Sequence, residues 1–350
     1  MPESSATTGQ DCSGRAIEQS LRRMGLVRDG EPVRLTALAG GVSSDIYRAD
    51  LAAGPICVKR ALARLKVAAE WRAPPERNRH EVGWLRFVAG IAPQAVPEVL
   101  AQDPTGLAFA MPFLPPEQYP VWKTELREGR TDQAFAMRLG GLLVAIHRGS
   151  ADRADLASAF ATDANFHAIR LEPYLAATAL RHPHLATQLA GLLQITANTR
   201  RALVHGDVSP KNILCGPQGP VILDAECAWF GDPAFDLAFC LNHLLLKSVW
   251  RPAHRAGYSN CFRALCDGYF DAVSWEPAER LEARTAALLP ALMLARIDGK
   301  SPVEYIRSEP NRELVRRFAT DRIMKPEHKL ADICRDWDAK LQAHRPEPEP

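Results

Sequence analysis

A chain of 350 residues is longer than one compact domain needs, so two lobes are expected. With 47% apolar and 24% charged residues, it can bury a core large enough to fold without disulfides or a structural metal. Lys and Arg number 43 against 41 Asp and Glu, a net of +2, which excludes a nucleic-acid binder working by bulk charge and a strongly acidic surface built to collect polycations.

The N-terminal stretch MPESSATTGQDCSG has no basic start and no apolar run, so no secretory signal is expected. No run of about 20 apolar residues is present, so no membrane span is expected. The eight cysteines are scattered without a CxxC pair, which disfavours both a zinc site and a disulfide framework. They read as small apolar core residues of a cytoplasmic protein. Val33–Leu38 and Ile46–Leu51 read as strands around Ala39-Gly40-Gly41-Val42-Ser43-Ser44-Asp45, and Gly54-Pro55 turns the chain into a third strand, Ile56–Lys59. Residues 60–80 are basic and irregular, and a helix follows over 76–90 with Val82, Leu85 and Val88 inward. Glu98–Ala101 and Leu107–Phe113 read as a hairpin across Asp103-Pro104-Thr105-Gly106. Pro112, Pro115 and Pro116 then mark a linker, so residues 1–112 form a β-rich lobe and 113–343 a mostly helical one.

In the second lobe Phe135, Leu139, Leu142, Leu143 and Ile146 fall on one helix face, and Leu185, Leu189, Leu192 and Leu193 repeat the pattern. Two short apolar runs interrupt it, Ala202–Val204 and Val221–Leu223, with Gly216-Pro217-Gln218-Gly219 joining them. Helical patterns resume at 235–246, 257–272 and 277–296, and the Pro/Glu-rich tail 344–350 reads as disordered.

The chemistry concentrates in LVHGDVSPKNILCGPQGPVILDAE, residues 203–226. Asn212 follows Asp207 by five positions, and Asp224 follows Asn212 by twelve, at the end of an apolar run. This is a loop with an acid and an amide, then a hairpin that brings back a carboxylate. Hard oxygen ligands of this kind suit Mg²⁺, which takes one or two carboxylates plus substrate phosphates. Asp207 can accept the proton of an attacking hydroxyl while Asn212 and Asp224 hold the metal. In the first lobe, Lys59 on a short strand can reach ATP phosphates as a point charge. An ammonium inside an apolar strand needs an anionic partner. Glu81 on the following helix is the first candidate, with Glu70 and Glu76 behind it. Gly40, Gly41, Ser43 and Ser44 form a small-residue turn whose backbone N–H groups can approach a phosphate. Ala110–Leu114, with Met111 and Phe113, is by position the hinge whose backbone would meet the adenine edge.

This constellation resembles the aminoglycoside phosphotransferase family of small-molecule kinases, from about residue 33 to 306. The resemblance implies an α+β, protein-kinase-like two-lobe fold: an antiparallel N-terminal sheet with one helix, then a mostly helical lobe. It implies ATP and Mg²⁺ as cofactors, Asp207 as catalytic base, Asn212 and Asp224 as metal ligands and Glu226 as a further ligand. It also implies that Asp236, in GDPAFDLA, anchors the catalytic loop by hydrogen bonds. Locally the chain looks like the 5-methylthioribose kinases: Ile56-Cys57-Val58-Lys59-Arg60-Ala61-Leu62, the basic stretch up to Glu81, and Ala225-Glu226-Cys227-Ala228-Trp229-Phe230-Gly231. Met293–Gly299 is a looser likeness, in which Arg296 and Asp298 become substrate contacts. The loop departs from those kinases at Asn212, where they usually carry Ser, so a related sugar or polyol stands beside methylthioribose.

The partner expected is thus a small-molecule hydroxyl, with no nucleic acid and no membrane; monomer and homodimer both stay open. Residues 201–250 hold five acids and three bases, and most of those acids already have a role, which leaves no surplus for a polycationic antibiotic. Rival readings are an aminoglycoside-type antibiotic kinase, a kinase-like nucleotide-binding module without turnover, and a protein kinase. The last lacks support because Ala225-Glu226 replaces the Phe-Gly that would follow Asp224. Gly299-Lys300-Ser301 is not a P-loop, since Leu294 stands where the first glycine belongs. His147 reads as a packed, hydrogen-bonded histidine. The eight Lys/Arg against three Glu over 51–90 read as a solvated face or an attraction for ATP.

Overall fold

In the computed structural model, residues 4–38, 43–62, 74–343, 347 and 349 are described, with side chains from residue 13 onward. The chain divides into two compact units, Met1–Glu117 and Gln118–Pro350.

The first unit is an antiparallel sheet of β1 (Arg34–Ala37), β2 (Ser44–Leu51), β3 (Gly54–Ala61), β4 (Ala101–Asp103) and β5 (Ala108–Pro112), in the order β1-β2-β3-β5-β4. β3 is central, and Lys59 lies opposite Ile46 on β2 and Phe109 on β5. The β4–β5 hairpin starts later than its spacing predicts, because Asp103 ends a strand instead of opening the turn. Its buried carboxylate accepts from Arg23 at 2.8 Å. Burial would raise that carboxyl's pKa, and the arginine holds it below its ordinary range.

Arg23 belongs to a helix that periodicity alone did not announce, α1 (Ser4–Arg23). Ile17 and Leu21 from α1 are fully buried in a core with Val27, Tyr47, Ala49, Val58, Ala108 and Ala110. The helix ends where Gly25 takes φ +71°, a left-handed cap that glycine adopts cheaply. α2 (Arg77–Ala89) forms as its spacing predicts, with Val82, Leu85 and Val88 buried.

The second unit begins with α3 (Trp122–Arg127) and α4 (Gln133–Ser150), followed by the short helices α5 (Ala154–Ala159), α6 (Asp163–Phe166) and α7 (Ala177–Arg181). A π-helical stretch, His167–Ala176, lies between the last two and contains Pro173, which cannot donate to an α-helical ladder. Then come α8 (Ala186–Asn198), β6 (Ala202–Val204), β7 (Ile213–Gly216), β8 (Gly219–Ile222), β9 (Trp229–Gly231), α9 (Pro233–Trp250), α10 (Arg255–Phe270), α11 (Ala278–Asp298), α12 (Glu309–Met324) and α13 (Leu330–Ala343). α9 is buried along its whole length and is the axis of the unit. Asp232 caps it by accepting from the Ala234 N–H at 3.1 Å.

The strand pairing departs from the simplest reading of the two apolar runs. β7 and β8 form the hairpin across residues 216–219, while β6 pairs antiparallel with β9, not with the run at 221–223. Two positions of the tail are held: Glu349 accepts from the Arg307 N–H at 2.9 Å, and Asn311 donates to the Glu347 carbonyl at 2.9 Å.

α4 and α10 cross closely because both carry glycine at the contact. A Cβ on Gly140 would lie 2.2 Å from the Leu265 carbonyl oxygen, and one on Gly268 2.3 Å from that of Met137. Gly140→Ala should therefore lower stability by about 1–3 kcal/mol, read as a lower denaturant midpoint at unchanged slope. An unchanged midpoint would mean that the helices can separate at no cost.

Candidate active site

In the first unit the candidate phosphate-binding parts are ordered by buried polar contacts. Lys59 Nζ lies 2.7 Å from Glu81 Oε1, and both residues are 3% exposed or less. Glu76, by contrast, is exposed at the start of α2. A buried ion pair of this geometry is held by mutual need, because removing either partner leaves an uncompensated charge. Ser43 and Ser44 are buried, and Ser44 opens β2 opposite Ala61. Gly40, Gly41 and Glu70 lie outside the described residues. Arg77, which composition marked only as one of many bases, is 1% exposed and donates to the carbonyls of Ser43 at 2.5 Å, Leu62 at 2.8 Å and Pro74 at 3.1 Å. It thereby ties the start of α2 to residues next to the small-residue turn and the basic stretch. Met111 lies on β5 opposite Cys57, and Phe113 carries the Arg48 guanidinium 4.9 Å from its ring centre.

In the second unit the loop after β6 is fixed from several sides. Asp236, on the first turn of α9 and 1% exposed, accepts from the backbone N–H of His205 at 2.7 Å and of Gly206 at 2.8 Å. His147 also donates to Asp236, Nε2 to Oδ2 at 3.3 Å, and accepts at Nδ1 from Tyr269 Oη at 2.8 Å. Gly206 sits at φ +78°, and a Cβ there would meet the Cys227 carbonyl at 2.7 Å. His205 accepts at Nδ1 from the Asp207 N–H and donates from Nε2 to the Leu223 carbonyl, each at 3.0 Å. Those contacts require a neutral ring, and burial lowers its pKa accordingly.

The β7–β8 hairpin closes the twelve-residue gap in sequence. Ile213 pairs with Ile222, and the Leu223 N–H donates to the Asn212 carbonyl at 2.9 Å, so Asp224 returns beside Asn212. Asn212 Nδ2 donates to the Asp207 carbonyl at 3.1 Å, which turns Oδ1 away; among the described residues nothing donates to that oxygen. Asp224 has φ +69°, a left-handed conformation that a non-glycine residue holds at about 1–3 kcal/mol. Among the described residues no three His, Cys, Asp or Glu side chains form a metal cage. A free amide oxygen with one or two carboxylates instead fits a cation that takes its remaining ligands from phosphate and water.

Asp207 itself is 5% exposed. Burial would raise its pKa, but Lys211 at 3.2 Å and Arg170 at 2.9 Å outweigh that and hold the carboxyl below its ordinary value. Neither cation was singled out from sequence. Arg170 lies on the π-helical stretch, and its Nε also donates to the Gly206 carbonyl at 2.5 Å. No local motif announces it; only Lys211, four residues after Asp207, carried a usable signal. Of the two residues read as substrate contacts, Asp298 accepts from Arg316 and His182, both at 2.8 Å, and joins α11 to α12. Its carboxylate is thus satisfied by the chain itself. Arg296 donates to Tyr174 Oη at 3.2 Å and to Ser301 Oγ at 2.9 Å.

A sheet with a buried Lys–Glu pair, followed by a helical unit with an Asp-loop-Asn hairpin ending in Asp, defines the protein-kinase-like class. The chain belongs to the phosphotransferase enzyme family, whose model matches residues 34–270. The methylthioribose kinase of Geobacillus thermodenitrificans is 25% identical over 259 residues, 66% of this chain and 65% of that protein, so the chain spans a little under two thirds of that relative. The methylthioribose kinase of Geobacillus sp. WCH70 is also 25% identical, over 72% of this chain and 70% of that protein. A solved amicoumacin kinase, hAmiN, in complex with AMP-PNP, Ca²⁺ and Ami, has a TM-score of 0.54 at 14% identity, covering 90% of this chain and 95% of that one. An ethanolamine kinase of Plasmodium vivax has a TM-score of 0.51 at 11% identity, covering 92% and 84%. At such identity these structures show the fold.

Asp236→Ala strands two buried N–H donors, each costing about 1–3 kcal/mol. It should lower the unfolding free energy by several kcal/mol in a denaturant titration. Full retention of stability would show that the loop is held without the carboxylate.

Proposed function

We propose that the protein is an ATP- and Mg²⁺-dependent kinase that phosphorylates a hydroxyl of a small molecule of the sugar or polyol kind. The observation that carries this reading is the ordered loop and hairpin: Asp207 ionised between two cations, the free Oδ1 of Asn212, and Asp224 beside it. In this reading Asn212 and Asp224 hold the divalent cation, with Glu226 as a further ligand. Bound there, the cation neutralises charge on the phosphates.

The chain's own residues do the rest. Lys59, oriented by Glu81, binds phosphate oxygens as a fixed positive charge. Gly40, Gly41, Ser43 and Ser44 border the phosphates, and Met111 and Phe113 border the adenine. Asp207 accepts a hydrogen bond from the acceptor hydroxyl and points its oxygen at the phosphorus. Because Lys211 and Arg170 keep that carboxyl's pKa low, it is a weak base in the ground state. That suits late proton acceptance in a loose transition state, where little nucleophile activation is needed and positioning dominates. The family match and the methylthioribose kinase relatives support phosphoryl transfer to a sugar-like hydroxyl. The seven cysteines with described side chains are all unpaired thiols, which supports a reducing compartment such as the cytoplasm.

Asp207→Ala should leave ATP affinity within a few-fold of wild type, by calorimetric titration, and lower turnover by at least two orders of magnitude in a labelled-ATP transfer assay. Wild-type turnover would sink the assignment. Stripping divalent metal should abolish transfer and Mg²⁺ should restore it; undiminished activity in chelator would refute the metal role of Asn212 and Asp224.

A further inference from the structure

The second unit has a cavity of about 300 Å³ whose lining includes Lys123, Arg127 and Arg307, with Trp250, Tyr305 and Glu304. Glu304 is the one carboxylate among its described lining residues, and Lys123 already pairs with it. Against the two aromatic rings lies Lys247, which is 1% exposed. Its Nζ is 4.9 Å from the Trp250 ring centre and 4.7 Å from that of Tyr305. Among the described residues no carboxylate pairs with it, so a desolvated ammonium is held by ring faces alone. Burial, and then the Lys123 charge, push its pKa down to about 7. Arg296 likewise has no carboxylate partner among the described residues, and its Nε is buried without a hydrogen bond.

This cationic group is continuous with the catalytic loop. Arg170, which pairs with Asp207, lies over the rings of Tyr174 at 5.9 Å and Phe239 at 5.6 Å. Tyr174 accepts from Arg296, and Phe239 packs edge-on to His243 with ring centres 5.8 Å apart. His243 Nδ1 is in turn 3.4 Å from Tyr305 Oη, on the cavity wall. Burial first, and then Arg296, Lys247, Lys211 and Lys123, hold the His243 ring well below its ordinary pKa. Lys211, one of these cations, also pairs with Asp207.

The arrangement selects by charge. The aromatic pair that could cage a ligand's ammonium is already filled by Lys247, and like charges repel a second cation. A neutral ligand would leave the buried Lys247 without a counter-charge, and Arg296 with hydrogen bonds only to Tyr174 and Ser301. An anionic group would compensate both. We propose that the acceptor is an anion: a small hydroxy compound bearing a carboxylate or a phosphate, held by Lys123, Lys247 and Arg296 while its hydroxyl faces Asp207. This rests on the phosphotransfer reading above. In the transfer the hydroxyl oxygen bonds to the γ-phosphorus as the bond to the β,γ-bridging oxygen breaks. ADP departs with that electron pair, and the hydroxyl proton passes to Asp207.

The test uses gluconate, glucose 6-phosphate, glucose and glucosamine, each titrated calorimetrically and each offered with labelled ATP and Mg²⁺. Expected is saturable binding of at least one of the two anions, at least tenfold tighter than glucose or glucosamine. The same anion should be the preferred acceptor, and the two anionic arms separate carboxylate from phosphate. Lys247→Met and Arg296→Met should each weaken its binding at least tenfold. Lys247→Met should nonetheless melt above wild type at pH 6, by a margin that fades as pH rises from about 7 towards 10.5, which excludes misfolding as the cause. Failure of both anions to bind, or affinity unchanged in both variants, overturns the proposal. Preferred transfer to glucose or glucosamine overturns it while leaving the kinase reading intact. Anion binding that both variants weaken, with no transfer to any compound, keeps the anion site and overturns the kinase reading, and with it the site's role in holding an acceptor.

Discussion

The carboxylate of Asp236, buried on the first turn of α9, is the fixed point around which the second unit's loop is built. It accepts two successive backbone N–H groups, those of His205 and Gly206. Those amides could find no water at that depth, so the loop has a stable course only where this acceptor stands. Once they are bound, Gly206 must take a left-handed conformation close against the Cys227 carbonyl. His205 then reaches Leu223, the residue before Asp224. One interaction thus sets the position of Asp207 and, through the imidazole, the return of the hairpin. His147 and Tyr269 stand behind Asp236 and keep it in place.

Among the described residues most buried charges are paired with an opposite charge, and departures from that rule are informative. Lys59 and Glu81 are almost fully buried as a pair. Asp207 is buried between Arg170 and Lys211. Asp298 is held by Arg316 and His182. In each case the chain supplies the counter-charge, so desolvation is offset internally. Lys247 breaks the rule: among the described residues no carboxylate pairs with it, and its ammonium lies against the rings of Trp250 and Tyr305. Groups left uncompensated by the fold are where a ligand's charge does most to lower the energy of the whole.

Fold and site were legible to different depths. Strands β1 to β3, α2, α4 and α9 follow from periodicity and turn chemistry, which are local properties of neighbouring residues. The spacing from Asp207 through Asn212 to Asp224 is likewise local, since one hairpin spans it. Helix α1 was missed because its apolar face is carried by few residues and becomes meaningful only against the sheet it covers. The pairing of β6 with β9 was missed because each strand is three residues long, and pairing across nearly thirty residues leaves no nearby trace.

By itself, then, the order of residues determined which side chains can do chemistry and that the acid, the amide and the second acid share a loop and a hairpin. It also required that Lys59 have an acidic partner, because a buried ammonium needs one, without saying which. Tertiary structure decided that the partner is Glu81, that Arg77 gathers three carbonyls at the start of α2, and that Arg170 and Lys211 keep Asp207 ionised. It also decided that Asp298 is spent on Arg316 and His182 while, among the described residues, Lys247 and Arg296 have no carboxylate partner. The physical reason is that a charge's state depends on what lies within a few ångströms, and residues far apart in sequence become neighbours only when the chain folds.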